Sequence, residues 1–94
     1  MEKIYVVSVR IYEEDDVGAS FRLRDHEDRV FNTVSKANDC FDMVVHHFRL
    51  GANEDDVTRE LLEQTEDLCY LVSMDSRSGK IRFIKIKKSE NVVD

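Results

Sequence analysis

An α+β domain is the fold class this sequence predicts: the order β-β-β-α-α-β-β, with two helices packed on one face of an antiparallel or mixed sheet. Three observations carry that expectation. The chain opens on a β-branched and aromatic run, Ile4 to Tyr12. Its middle holds an apolar stripe at helical spacing, formed by Phe41, Val44, Val45 and Phe48. It closes on two alternating segments joined by Asp75-Ser76-Arg77-Ser78-Gly79. With 94 residues, 41% of them hydrophobic, the chain is sized for one domain and one core spanning 1–94.

Residues Lys3 to Tyr12 make the first strand. Tyr5, Val7, Val9 and Ile11 alternate onto one face and Ile4 and Val6 onto the other, so the strand's start is expected to be covered on both sides. Glu13 to Ser20, with Gly18, reads as a polar loop. Phe21 and Leu23 alternate with Arg22 and Arg24 in a half-buried second strand, Asp25 to Asp28 turn, and Arg29 to Ser35 return as a third. Asn38 is the expected N-cap of the first helix, with Asp39 and Asp42 near its positive end and Gly51 closing it. Glu54 to Glu66 reads as a shorter second helix, capped by Asn53, with Val57, Leu61 and Leu62 inward. Leu68 to Met74 and Lys80 to Lys87 form a closing hairpin. Ile81 and Phe83 fall out of phase with Ile84 and Ile86, which requires a bulge at Phe83-Ile84 or cover on both faces. Residues 89–94 are expected to fray.

Charge is segregated along the chain. Acids cluster at Glu13-Glu14-Asp15-Asp16, Glu27-Asp28 and Glu54-Asp55-Asp56, whereas Arg22, Arg24, Arg29, Lys80, Arg82, Lys85, Lys87 and Lys88 gather on strand segments. A net charge of −6 opposes general nucleic-acid binding, because a polyanion repels an acidic protein unless a local basic patch dominates. The uncharged run Ile4 to Val9 is too short for a membrane span or a secretory core. A cytoplasmic setting without membrane association follows as the expectation, with Cys40 and Cys69 as reduced, small core residues.

The sequence carries no catalytic or metal-binding signature. His46 and His47 are adjacent, and on a helix such neighbours point about 100° apart and do not converge on one ion. His46 stacks on Asp42 at i, i+4, a surface ion pair. Cys40 precedes His46 by nearly two helical turns, out of hydrogen-bonding reach. Gly18, Gly51 and Gly79 are too scattered to cradle a phosphate. Neither an enzyme, a metal site nor a cofactor is expected.

A small, acidic, non-enzymatic module that binds another protein and modulates or inhibits it is the leading functional expectation. In size, acidity and lack of catalytic apparatus the chain is similar to accessory inhibitors encoded by phages, including those that act on host nucleases. The anionic surface Glu13, Glu14, Asp15 and Asp16 is the candidate contact, steering a partner with a basic surface. A second reading places nucleic acid on a basic sheet face of Arg22, Arg24, Lys85 and Lys87. In that reading Phe21 and Phe83 are expected to face away from the charges, whereas an RNA-reading sheet presents aromatics on its basic face. A third reading is a small-ligand or nucleotide-binding module acting as a homo-oligomer.

Overall fold

A computed structural model describes residues 2–14, 20–50 and 57–93. Its elements are β1 (Glu2–Glu14), β2 (Phe21–Phe31), α1 (Val34–Leu50), β3 (Val57–Gln64), β4 (Leu68–Asp75) and β5 (Ile81–Val93). Neighbouring strands are all antiparallel, in the order β2-β1-β5-β4-β3. The helix follows one edge strand and precedes the other, so it carries the chain across a single sheet face. One helix on five strands replaces the expected two-helix β-β-β-α-α-β-β order.

The largest correction concerns the second helix. Of its described part, 57–66, the residues Val57–Gln64 are the edge strand β3, paired with β4 from Val57↔Asp75 to Gln64↔Cys69 with an irregularity between Leu61 and Glu63. Arg, Glu, Leu and Gln favour helices by only tenths of a kcal/mol per residue, which a ladder of cross-strand bonds outweighs. Side chains also tie β3 to the end of α1: Arg59 donates to the Phe48 carbonyl, and Arg49 Nη1 donates to Gln64 Oε1 at 2.9 Å. The expected caps Gly51 and Asn53 lie outside the described residues.

The expected second and third strands are one. Asp25–Asp28, read as a turn, pairs with β1 as continuous strand, and a bulge opposite Ile11 and Tyr12 absorbs Arg24. Such charges suit β2 because it is an edge, where they discourage pairing with other chains. Val34 and Ser35 belong to α1, and the N-cap is Thr33: Lys36 N donates to Thr33 Oγ1 and Ala37 N to Thr33 O, both at 3.3 Å. Asn38, the expected cap, instead accepts a hydrogen bond from Lys88 Nζ. Asp39 and Asp42 fall beyond the first turn, which holds no acid.

The core lies between α1 and one sheet face. Ala37, Cys40, Phe41 and Val45 pack with Val7, Cys69, Leu71, Ile84 and Ile86, and Val9, Ile11, Val44 and Phe48 flank them. Cross-strand register sets Val9, Ile86 and Cys69 in one row and Ile11, Ile84 and Leu71 in the next. Lys88 shares this face; its ammonium lies 5.5 Å from the Phe41 ring centroid and 3.5 Å from Asp67. Pairing runs unbroken through Phe83 and Ile84 on both sides, so no bulge lies there. Residues Ser89–Val93 continue β5 against Glu2–Val6 where a frayed tail was expected. The β4–β5 turn closes through Gly79 N donating to Asp75 O at 2.7 Å, with Gly79 at φ 71°, a region glycine enters without strain.

Candidate functional site

The sheet face opposite α1 is the larger candidate. Alternation and register place Ile4, Val6, Arg10 and Tyr12 of β1 there, with Leu68, Tyr70 and Val72 of β4 and Ile81, Phe83, Lys85 and Lys87 of β5. Leu23 joins them opposite Tyr12, and Phe21 reaches Phe83. No described element covers this face, so Ile4 and Val6 lack the cover expected for the start of β1. Phe21 is 45% exposed and Leu23 48%, a cost in water that a partner's surface would relieve.

Aromatic rings cluster at the centre. Phe83 stacks on Tyr70 with centroids 5.7 Å apart and planes 13° apart, and meets Phe21 edge-on at 4.9 Å. Phe83, Lys85 and Lys87 are two residues apart in turn, so they share this face; the expectation that Phe83 points away from those charges is corrected. Phe21, of the strand expected to be half-buried, also lies on this face and outside the core. Of the proposed basic face, Lys85 and Lys87 come together here beside Arg10, whereas Arg22 sits opposite Glu13 on the helix side and Arg24 lies in the bulge. Arg10 is committed to Asp28 through hydrogen bonds of 2.8 and 3.2 Å, and the guanidinium holds the Asp28 carboxyl below its usual range.

The acidic candidate surface divides. Glu13 lies within β1 on the helix side and pairs with Arg82 at 2.7 Å and Lys80 at 3.7 Å, its side chain only 15% exposed. Glu14 sits opposite Phe21 at the end of β1. Asp15 and Asp16 lie outside the described residues.

A second recess opens between α1 and β2, with a volume of about 380 Å³. Val7, Val9 and Ile11 form its floor, and Met43, Val44, His47 and Phe48 one wall. Asp25, His26, Glu27 and Arg29 form the other. His46 lies elsewhere, around a shallower depression with Asp42, Arg49 and Gln64, so the adjacent histidines diverge as helical geometry requires. Among the described residues no three His, Cys, Asp or Glu side chains are placed to hold a metal ion. Both thiols are free and buried, and burial pushes the Cys69 thiol up. No described helix is long and apolar enough to cross a membrane.

The sequence signal for the aromatic–lysine face was the odd-numbered series 81, 83, 85, 87 within one strand. The recess had no such signal, because its walls come from segments distant in sequence. Comparison with protein-family models, curated proteins and solved structures returns no match to this chain.

Proposed function

We propose that this chain is a non-enzymatic binding module that docks another protein on its helix-free sheet face and thereby modulates that protein. One observation carries the reading: Phe21, Phe83 and Tyr70 form a pre-packed aromatic cluster on a face that no described element covers. Large, low-entropy rings anchored in place are what protein interfaces concentrate at their centres. Lys85 and Lys87 beside the cluster favour a partner with carboxylates there. That reverses the sign expected when the acidic loop was the contact, since Glu13 is engaged within the chain. Inhibition of the partner, a cytosolic setting with reduced Cys40 and Cys69, and self-association through the same face all belong to this proposal.

Nucleic acid is the competing occupant, favoured by the aromatics and lysines sharing a face. Bases stack on free ring faces. Here Phe83 and Tyr70 each turn one ring face toward the other, and the net charge of −6 repels phosphate. Capture from cell lysate with the wild type, Phe83→Ser and the α1 control Asp39→Lys tests the choice. A protein retained by the wild type and the control but lost by Phe83→Ser supports docking on this face. Capture indifferent to Phe83→Ser overturns it. Light scattering of the same three proteins identifies the case in which the captured partner is a second copy.

A further inference from the structure

We propose that the recess between α1 and β2 binds a small organic cation, an amine carrying an aromatic or branched aliphatic body. Its volume of about 380 Å³ falls within the range of ligand pockets, with an apolar floor and a rim that carries Asp25, His26, Glu27, Arg29 and His47. Val7 is buried at the base, and Val9, Ile11 and Phe48 offer apolar surface to a ligand body.

Charge selects the head group. Glu27 is neutralised by Arg29, whose Nε lies 2.7 Å from its carboxylate. Asp25 has no such partner among the described cations; its Oδ1 accepts the His26 amide at 2.8 Å. A carboxylate has about four acceptor positions, so capacity remains for an ammonium N–H. An anionic ligand would meet the Asp25 carboxylate, and the one rim guanidinium already gives its Nε to Glu27. The site therefore discriminates by sign, with the apolar floor supplying affinity common to cationic and neutral ligands.

Methyl NMR titrations at pH 7 test this with three probes of one shape: phenethylamine, 2-phenylethanol and 3-phenylpropanoate. The methyl signals of Val9, Ile11, Met43 and Val44 are expected to shift and saturate, with affinity ordered amine, alcohol, carboxylate. Asp25→Asn, at an exposed position, should weaken the amine about fivefold, to the level of the alcohol, and leave the alcohol unchanged. An amine no tighter than the alcohol, a preference that survives Asp25→Asn, or shifts confined to other methyls would overturn the proposal. None of these results bears on docking at the opposite face of the sheet.

Discussion

Arg10 and Asp28 join β1 to β2 through two hydrogen bonds, and that pair gives one carboxyl a pH signature. Its folded-state pKa is depressed by the guanidinium, so its contribution is present above the unfolded value near ~3.9 and lost as pH falls through the lower folded value. Asp28→Asn should accordingly melt below the wild type at pH 7, the gap narrowing below pH ~4 in parallel thermal scans. Because the pair is exposed, the gap should also shrink in high salt. Phe41, 3% exposed under α1, is a different case: Phe41→Ala should cost roughly 3–5 kcal/mol in denaturant melts, against under about 0.5 for exposed His47→Ala. Equal losses for the two would mean that α1 is rotated. Cys69, fully buried with its thiol pKa raised, should resist iodoacetamide at pH 8 until denaturant is added; rapid labelling of the native protein would contradict its placement.

At the scale of elements, α1 was the most legible, because the spacing of Phe41, Val44, Val45 and Phe48 leaves one arrangement that buries all four. Its start was less so: Thr33 and Asn38 are both good caps, and only the Thr33 Oγ1 contact with Lys36 N distinguishes them. Thr33→Ala should cost about 1 kcal/mol, whereas Asn38→Ala acts through Lys88 and not through helix initiation. Helical circular dichroism of the two variants during thermal melts separates the effects. Hydrogen exchange tests the strand ends. Amides of Ser89–Val92 that bond to β1 should be protected, and exchange there at the rate of an unstructured peptide would restore the frayed tail. β3 was illegible for a physical reason: Thr58 to Gln64 has helix-forming composition, and its strand conformation is supplied by β4 and by Arg59 reaching the end of α1.

The whole molecule is a flat slab, 49 × 26 × 18 Å, as expected of one helix layer over one sheet. Such a shape buries one sheet face and leaves the other to solvent or a partner. With a net charge of −6, the protein should show no measurable binding to random single- or double-stranded oligonucleotides at ~0.15 M salt. Micromolar binding that weakens tenfold as salt doubles would transfer the helix-free face to nucleic acid. Variants there should separate binding from folding: Lys85→Glu and Lys87→Glu, both exposed, should leave the melting midpoint nearly unchanged while altering partner association.

Local pattern alone sets a sheet-and-helix chain, the apolar stripe of α1, the closing hairpin with Gly79 at its turn, and the apolar alternation of β1. Each rests on neighbours within a few residues, where periodicity and turn chemistry act directly. Tertiary structure decided that 57–64 is a strand, that Asp25–Asp28 runs straight along an edge, and that β5 pairs with β1 to its end. It also decided the candidate surfaces, engaging Glu13 with Arg82 and gathering Phe21, Tyr70 and Phe83 from three strands. Those outcomes depend on which distant segments become neighbours, and local propensities of a few tenths of a kcal/mol per residue yield to such pairing.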